Sequence, residues 1–493
     1  MKHPTLRILL FIGLVVLLAR AVVEAPLSVA SGIAPAVTPA CESAVCIDHL
    51  EALTIDALRQ ESWNGYLEHL KPLQSGVSAK TARAAGNGYA AVRSFMLSFF
   101  SDDLRQYARL DTPSASPPTS GYPLVVFFHG WVGSEEAATY AFAADSGSLY
   151  REIISELNRA GFAVLTPGFR GHGTFDGAAA QGGEWLDAWD NGSYLSPVFY
   201  ARDALNLLHA LRSFDGVEYD QSAGSDVPRL DIGGVSLLGH SQGGDSLLMV
   251  LAIAGGNPRI SVPISSAAIW AGNIADRFTQ ANTFGPMGST LQAFMSGDGT
   301  WTASALSKEG VINRDFVFAW PPDWISTLDP SSADWDWQEQ VWSLPNVAVA
   351  LDEKYREMYD TINAFVRDID DADYVIMRDD EGRLFVDHDP RIAAVMPRIG
   401  GYLESAYINQ PLNLHFSDQD YYSLPEWNRS LAACVNQRGG SVQTFLYPAT
   451  NHSLRASKHR WYSPPGTLDG VGQAIARDIQ LFSQHSPAGG KPR

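Results

Sequence analysis

Cysteine and positive charge are both scarce in this chain. Only three of its 493 residues are cysteine, and 35 Lys and Arg stand against 54 Asp and Glu, a formal net charge of −19. Proteins that bind nucleic acid or an anionic membrane neutralise phosphate with basic residues, so this balance argues against either as a partner. The three cysteines show no metal-ligand spacing, and no zinc site is expected.

Long apolar runs are also rare, and the clearest lies at the N-terminus. A basic segment, 2–7, precedes an uninterrupted apolar stretch, 8–19, and Ala-Arg-Ala at 19–21 offers a cleavage site. This pattern predicts a secretory signal peptide over 1–21, because the apolar run is short for a membrane span. We expect an exported protein, secreted or periplasmic, without stable membrane insertion after cleavage. An uncleaved N-terminal anchor is the alternative.

An exported protein can form disulfide bonds, so pairing between the cysteines has to be considered. Cys41 and Cys46 are spaced to close a small disulfide loop, an outcome that the sequence leaves open. Cys434 lies in the apolar-periodic stretch 427–435, which predicts a buried, unreactive thiol.

Residues 22–104 are predicted to form an N-terminal leader and a helical extension. The stretch 26–44 is rich in Ala, Pro and Ser, as expected of a loose leader. Within 47–70, the spacing of Leu50, Leu53 and Leu58 predicts a helix packed on the main domain.

From residue 105 to 271, buried strands and amphipathic helices are predicted to alternate. The predicted strands are 105–110, 124–128, 162–166, 235–238 and 267–270. The predicted helices are 148–160, 197–214 and 244–254. Such alternation predicts the α/β class, with a mostly parallel, doubly wound sheet.

The alternation breaks over 272–410, which is interpreted as a large inserted lid domain. A helix is predicted over 352–369 and a hairpin of 374–377 with 384–386. The acidic stretch 368–373 lacks an EF-hand pattern and is interpreted as a solvated face. Six of the 13 tryptophans lie in the insertion: Trp301, Trp320, Trp324, Trp335, Trp337 and Trp342. They line a substrate wall or form a small core, and the sequence leaves both open.

The core is predicted to resume over 411–493. Strands are expected at 412–416 and 442–446, and helices at 427–437 and 470–482. The tail from residue 483 is rich in Gly, Pro and Lys and is predicted to be disordered.

The sequence Gly239-His240-Ser241-Gln242-Gly243 stands between a predicted strand and a predicted helix. A G-x-S-x-G pattern in that position is typical of a nucleophile elbow, which presents the serine hydroxyl at the tip of a sharp turn. Gly239 and Gly243 would let the strand and the helix approach without Cβ clashes. The alternative is an ordinary Gly-rich loop.

A serine hydroxyl needs a base within hydrogen-bond reach, and that base needs an orienting carboxylate. His452 follows the predicted strand 442–446, so it would lie at the same sheet edge as Ser241. His129 is interpreted as structural, and His240 as pointing away from the nucleophile. The competing histidines are His129, His172, His240 and His459.

The carboxylate candidates are Asp420 and, as the alternative, Asp418, both just after the predicted strand 412–416. Asp420 is preferred because it lies farther beyond the strand end and can reach a histidine on the neighbouring loop. Asp418 is close enough to serve local backbone N–H groups instead. The other interpretation of either residue is a turn aspartate.

A tetrahedral intermediate would need preorganised donors for its oxyanion. The backbone N–H of Gln242, directly after Ser241, is one candidate. The N–H of Trp131, which follows His129-Gly130, is the second. The Trp131 side chain would line an acyl pocket or simply pack beneath the lid.

Together these segments resemble the α/β-hydrolase family, over about 105–482 apart from the insertion. Within the family, 240–244 is similar to the branch of dienelactone hydrolases, prolyl oligopeptidases and secreted esterases. That branch usually has His-Gly where this chain has His415-Phe416, and no propeller repeat precedes the core. The segments that carry the resemblance are 124–131, 168–173, 239–244, the Asp418/Asp420 segment and 447–452.

The resemblance implies an α/β-hydrolase fold and a serine hydrolase that cleaves carboxylic esters through a Ser-Asp-His triad. A peptidase or amidase on the same fold is the alternative, and a non-catalytic binding protein is a further one, because a fold does not fix a function. No cofactor or metal is implied. The expected partner is a small-molecule ester or peptide substrate, and the oligomeric state is left open.

Overall fold

A computed structural model of the protein describes a ten-stranded sheet with helices packed on it. The described residues are 47–73, 92–132, 134–143, 149–183, 196–219, 227–272, 274–275, 374–378, 384–388, 394–418, 420, 423, 425–456 and 465–487.

The strands of this sheet lie in the order β14-β13-β10-β9-β4-β5-β3-β2-β1-β8. Neighbours from β14 to β5 are parallel, whereas β5, β3, β2 and β1 pair antiparallel. The strands are β1 Tyr66–Pro72, β2 Val92–Ser101, β3 Leu104–Pro113, β4 Tyr122–Phe128, β5 Ala163–Pro167, β8 Glu218–Tyr219, β9 Leu230–His240, β10 Ile264–Trp270, β13 Leu412–Phe416 and β14 Val442–Leu446. Two small ribbons pair β6 Thr174–Phe175 with β7 Ala178–Ala179, and β11 Tyr374–Arg378 with β12 Leu384–His388.

The described part of the chain contains the following α-helices. They are α1 Ile47–Ala52, α2 Ile55–Leu58, α3 Ser134–Ala137, α4 Leu149–Arg159, α5 Ser196–Ala210, α6 Gln242–Ala254, α7 Pro425–Gln437 and α8 Val471–His485. Short 3-10 helices cover Leu211–Gly216, Met396–Arg398 and Ser405–Tyr407. No helix in the described part of the chain is both long and apolar enough to cross a bilayer.

Strand β4 shows why the central sheet is buried on both faces. Leu124, Val126 and Phe128 belong to the core cluster that contains α5, α6 and α7. Val125 and Phe127 point the opposite way, into the cluster that contains α4 and α8. Because successive side chains of a strand alternate in direction, a near-continuous apolar run fits a strand covered by helices on both sides. The doubly wound α/β prediction is confirmed.

The N-terminal extension differs from the helix predicted over 47–70. Helices α1 and α2 are short, and Tyr66–Pro72 is strand β1, which pairs antiparallel with β2. The leucine spacing does fit the first part, since Leu50 and Leu58 are buried. Strand β1 depends on a partner more than 20 residues further along the chain, and local periodicity carries no information about that pairing.

Arg59 fixes this extension to helix α6. Its Nη1 donates to the carbonyls of Ala252 at 2.7 Å, and of Ile253 and Gly255 at 2.9 Å each. The last carbonyls of a helix have no partner within the helix, and a guanidinium both satisfies them and complements the negative end of the helix dipole. The extension therefore stabilises the helix that follows Ser241.

The predicted insertion falls largely outside the described residues, including all six tryptophans, the helix predicted over 352–369 and the acidic stretch 368–373. The predicted hairpin is confirmed as the antiparallel ribbon β11–β12. At the end of the segment, Val395, Ile399 and Ile408 are buried in the same cluster as α6. Residues 394–408 therefore pack on the core, while the lid interpretation of the rest stays a prediction.

The prediction that Cys434 is buried is wrong, because its side chain is exposed and free. Helix α7 buries Trp427, Leu431 and Val435, which are spaced four residues apart, whereas Cys434 lies at the edge of this face and is exposed together with its neighbour Ala433. The apolar stretch indicated the helix correctly but not which side faces solvent. Cys41, Cys46 and the signal segment 1–21 lie outside the described residues.

Candidate active site

Ser241 occupies the sharp turn between β9 and α6. Its backbone has φ 57° and ψ −130°, a conformation that residues with a side chain rarely adopt and that is typical of strained functional turns. A Cβ at Gly239 would lie 2.6 Å from the Gly243 carbonyl oxygen, and a Cβ at Gly243 would clash with the Phe128 carbonyl. Both glycines are therefore required by close backbone approach.

The loop after β4 lies directly against this turn. A Cβ at Gly130 would be 3.0 Å from the Ser241 Cβ and 2.8 Å from the Tyr150 hydroxyl. The Gly130 N–H donates to that hydroxyl at 2.9 Å, so it is already engaged. The next N–H, on Trp131, has no hydrogen-bond partner in the described part of the chain.

The two predicted oxyanion donors thus flank the Ser241 turn. Gln242 is buried and is the first residue of α6, where backbone N–H groups point out of the helix. Trp131 comes from the Gly130 loop, and its side chain is 45 % exposed. An exposed indole fits either of the two interpretations of Trp131 made from the sequence.

His452 and Asp420 form a buried pair at the same edge of the sheet. His452 Nδ1 lies 2.8 Å from Asp420 Oδ2, and both side chains are almost fully shielded from solvent. Asp418 is engaged by the backbone, because its Oδ1 accepts the N–H of Ala449 at 2.7 Å. Of the two candidate carboxylates, the structure brings Asp420 to the histidine.

His240 connects the Ser241 turn to the His452 loop. Its Nε2 lies 3.2 Å from the His452 carbonyl oxygen, and its Nδ1 lies 2.8 Å from the Tyr150 hydroxyl. His240 was expected to point away from the nucleophile, and neither of these contacts was predicted from the sequence. Tyr150 was missed altogether, because a tyrosine in the first turn of an amphipathic helix is indistinguishable from an ordinary core residue in the periodicity.

Two of the other competing histidines, His129 and His172, are structural. His129 is fully buried, with Nδ1 2.7 Å from the Gly130 carbonyl and Nε2 3.1 Å from the Gly168 carbonyl. His172 contacts the Arg170 carbonyl through Nδ1 at 2.8 Å. Burial lowers the pKa of His129 to about 4 and that of His172 to about 3, so both rings are neutral near pH 7. His459 lies outside the described residues.

A buried ion pair holds the loop after β5, which contains Gly168 to Gly173. Arg170 donates through Nη2 to Asp203 Oδ1 at 2.6 Å and through Nε to Asp203 Oδ2 at 3.1 Å. Its backbone N–H also donates to Asp203 at 2.8 Å, and Asp102 accepts a further bond from Nη2 at 2.9 Å. Bidentate pairing of this kind fixes geometry as well as charge. The loop was recognisable in the sequence, but its two carboxylate partners, Asp203 and Asp102, were not.

A second buried histidine–carboxylate pair lies below the His452 loop. Asp478, on α8, accepts bonds from His415 Nε2 at 2.8 Å, Trp270 Nε1 at 2.6 Å and Asn413 Nδ2 at 2.9 Å. His415 Nδ1 lies 2.8 Å from the hydroxyl of Tyr447, the residue directly after β14. The cluster joins β10, β13 and the start of the His452 loop to α8. His415 is therefore a structural residue.

No group of three or more His, Cys, Asp or Glu side chains within the described ranges is arranged to hold a metal ion.

A sequence model of the alpha/beta hydrolase family matches residues 125–460, which is more than half of the 493 residues. The matched range begins within β4 and extends beyond His452. The chain belongs to the α/β-hydrolase family. The resemblance stated from the sequence and the predicted fold class are both confirmed.

Solved structures similar to this chain include two esterases and a peptidase. The acetyl xylan esterase from Paenibacillus sp. R4 is 12% identical with a TM-score of 0.42, and the match covers 88% of this chain and 92% of that one. The rice cell wall degrading esterase LipA from Xanthomonas oryzae is 15% identical with a TM-score of 0.44, covering 87% and 99%. Porphyromonas gingivalis dipeptidyl peptidase 4 is 13% identical with a TM-score of 0.42, and the match covers 83% of this chain but 37% of that one. Among curated proteins, none matches this chain.

Proposed function

We propose that the protein is an exported serine hydrolase that cleaves carboxylic esters through an acyl-enzyme. Ser241 is the nucleophile, His452 the general base and Asp420 the carboxylate that orients it. The observation that carries this proposal is the coincidence of two features at one sheet edge. These are a strained serine at a strand-to-helix turn and a buried His452–Asp420 pair at 2.8 Å, joined through His240.

The pair assigns a role to each nitrogen of His452. A carboxylate only accepts, so the Nδ1 proton lies toward Asp420, and Nε2 is the basic nitrogen. In the first half-reaction Nε2 takes the hydroxyl proton while the serine oxygen attacks the ester carbonyl. The imidazolium then gives that proton to the leaving alcohol. In the second half-reaction a water replaces the alcohol and releases the acid, which regenerates the free serine.

Two backbone donors support the tetrahedral intermediate. The oxyanion takes hydrogen bonds from the N–H groups of Gln242 and Trp131, which flank the Ser241 turn. Removing a single donor of this kind costs other hydrolases about 10²–10³-fold in kcat, so these groups carry much of the proposed rate enhancement. Because both donors are backbone groups, the rigidity of the Gly130 loop matters more than the identity of the Trp131 side chain.

The direct test compares wild type with Ser241→Ala. A fluorophosphonate probe should label wild type and leave the variant unlabelled, and kcat on a p-nitrophenyl ester should fall by about 10⁴-fold or more. Equal thermal melting of the two proteins would show that the loss is chemical, since the change removes one oxygen. Near-wild-type hydrolysis by Ser241→Ala would overturn the assignment. Preferential cleavage of peptide p-nitroanilides over esters would show a peptidase instead.

We also propose that the segment between β10 and β13 covers the site. It leaves the core beside the turn, because the Ser241 N–H donates to the Trp270 carbonyl at 2.9 Å. It returns into β13, whose far end leads to Asp420. A fluorophosphonate carrying a photoreactive diazirine, bound at Ser241, should crosslink to peptides within 276–373. Crosslinks confined to the core would contradict a lid.

A further inference from the structure

A chain of hydrogen bonds runs from the Gly130 loop, through two side chains, to the backbone of His452. The Gly130 N–H lies 2.9 Å from the Tyr150 hydroxyl, which lies 2.8 Å from His240 Nδ1. His240 Nε2 lies 3.2 Å from the His452 carbonyl oxygen. Tyr150 comes from α4 and His240 from the end of β9, so these hydrogen bonds join the Gly130 loop, α4, β9 and the His452 loop.

The two ends of this chain have fixed roles, and they determine where each proton lies. The Gly130 N–H only donates, so the Tyr150 oxygen accepts there and its own proton points to His240 Nδ1. The His452 carbonyl only accepts, so His240 Nε2 carries the ring proton. A neutral imidazole in this tautomer satisfies both of its contacts.

The surroundings keep that imidazole neutral. Burial, together with the charge of a protonated His452 and against the opposing effect of the bond to the His452 carbonyl, lowers the pKa of His240 to about 3. The two rings are close, with centroids 5.0 Å apart. Neutrality matters because His452 becomes an imidazolium during the proposed reaction, and a second cation at this distance would oppose it.

We infer that Tyr150 and His240 are positioning residues that hold the oxyanion loop and the general base at a fixed separation around Ser241. The inference rests on the proposed serine hydrolase function. Gly130 directly precedes Trp131, whose N–H is the proposed oxyanion donor. His240 directly precedes Ser241 and holds the backbone of His452. One pair of side chains thereby ties together all three parts that act on the ester carbonyl.

The expected consequence is a loss of turnover rather than of substrate binding. The separation of base and oxyanion donors matters most in the transition state, when the proton moves and negative charge develops on the carbonyl oxygen. A misplacement of about 1 Å can cost about 10²-fold in rate. Without this link kcat should fall while KM stays close to wild type, the pattern of an interaction made mainly in the transition state.

Tyr150→Phe is the main test, and the chain offers a matched control in Tyr200→Phe. Tyr200 is also buried, and its hydroxyl also contacts a buried histidine, since it lies 3.2 Å from His172 Nε2. Each change removes one phenolic oxygen and leaves one histidine nitrogen without its partner. Tyr200 has no hydrogen bond to Gly130, His240 or His452. A general effect of losing a buried tyrosine–histidine bond would therefore appear in both variants.

His240→Leu and His240→Gln provide the second comparison. Leu removes both hydrogen bonds, whereas Gln places an amide N–H near the position of Nε2 and keeps a donor for the His452 carbonyl. Partial recovery of kcat in His240→Gln relative to His240→Leu would indicate that the bond to His452 matters. This pair also keeps the test valid if Tyr150→Phe does not fold.

The measurements are kcat and KM on a p-nitrophenyl ester and the second-order rate constant of fluorophosphonate labelling, with Ser241→Ala as the inactive reference. We expect Tyr150→Phe to lower kcat and the labelling constant by about 10- to 100-fold, with KM within about threefold of wild type. Tyr200→Phe should stay near wild type in both. Equal rates in Tyr150→Phe and Tyr200→Phe would overturn the inference and leave the proposed function standing. Absence of labelling in wild type would overturn the proposed function, and the inference with it.

Discussion

Asp420 and His452 are paired through a 2.8 Å contact between Oδ2 and Nδ1, with both side chains shielded from solvent. Two residues earlier, Asp418 uses its Oδ1 to accept the N–H of Ala449 at 2.7 Å. The two carboxylates therefore have different partners although they lie on one short loop. The first contacts a titratable ring and the second contacts the backbone of the loop that carries that ring.

This difference predicts that Asp420→Asn and Asp418→Asn have clearly different effects on kcat. Asparagine at 420 removes the charge that supports the imidazolium and no longer fixes the tautomer, so kcat should fall by up to about 10⁴-fold. Asparagine at 418 retains an acceptor for the Ala449 N–H, so stability should change by about 1 kcal/mol or less and turnover should change little. Steady-state kinetics and urea unfolding of both variants check this. Loss of activity in Asp418→Asn alone would mean that the wrong carboxylate has been assigned.

The sequence predicted what depends on local pattern. Strands β13 and β14 match their predicted limits. Asp418 does bind a backbone N–H as expected, but that N–H belongs to Ala449, 31 residues further along the chain, and not to a local residue. Chain order and strand ends suffice for such predictions, because the carboxyl ends of parallel strands share one edge of the sheet.

The sequence could not predict contacts between elements that are distant along the chain. Tyr150 and Asp478 each lie on an amphipathic helix, and nothing in either helix indicates a partner in β9 or β13. Strand β1 was missed for the same reason, since its identity depends on β2. The exposure of Cys434 could not be predicted for a related reason. Whether one position of an apolar-periodic helix is buried depends on the elements that pack against that helix.

The contacts of Asp478 predict that it stabilises the fold, and this effect can be measured separately from catalysis. Asp478→Ala would leave donors of His415, Trp270 and Asn413 unsatisfied in a site without solvent access. Breaking a buried pair of this kind costs about 3–5 kcal/mol, so the free energy of unfolding should fall by at least about 3 kcal/mol. Urea unfolding at pH 7 measures it.

The control for this prediction is Asp469→Ala, near the start of the same helix. Asp469 accepts the Val471 N–H at 2.9 Å, and its side chain is 46% exposed. Loss of such a capping contact should cost about 1 kcal/mol. Similar losses in Asp469→Ala and Asp478→Ala would contradict the role given to the buried cluster.

Residues 1–21 predict export, and the test uses protein isolated from the cell that naturally produces it. Signal peptidase should cut after the Ala-Arg-Ala segment, so that the mature chain begins near Val22. N-terminal sequencing of protein from the secreted or periplasmic fraction checks the position of the cut. A matched change, Ala21→Arg, should block cleavage and leave the chain attached to the membrane by its apolar segment. An intact Met1 on cytosolic wild-type protein would contradict export.

Because three histidines are buried in the neutral form, we expect the free energy of unfolding to fall in mild acid. Burial lowers the pKa of His129 to about 4 and those of His172 and His240 to about 3, from an ordinary value of 6.5. Because each folded-state pKa lies below the unfolded one, the unfolded chain binds more protons between these values, and protonation favours unfolding. The stabilisation from neutral burial is fully present above about pH 6.5 and is lost as the pH falls toward the folded-state values.

Each such histidine changes the free energy of unfolding by up to about 1.4 kcal/mol per pH unit, so the three together should remove about 5 kcal/mol between pH 7 and pH 5. Urea unfolding at pH 7, 6 and 5 measures the slope. His240→Gln removes one of the three titrations, and its slope over the same interval should be smaller by about one third. A free energy of unfolding that stays constant from pH 7 to pH 5 would mean that these rings accept protons in the folded protein. In that case His240 would carry a positive charge beside His452 at pH 5, and the tautomer that links Tyr150 to the His452 carbonyl would be lost at that pH.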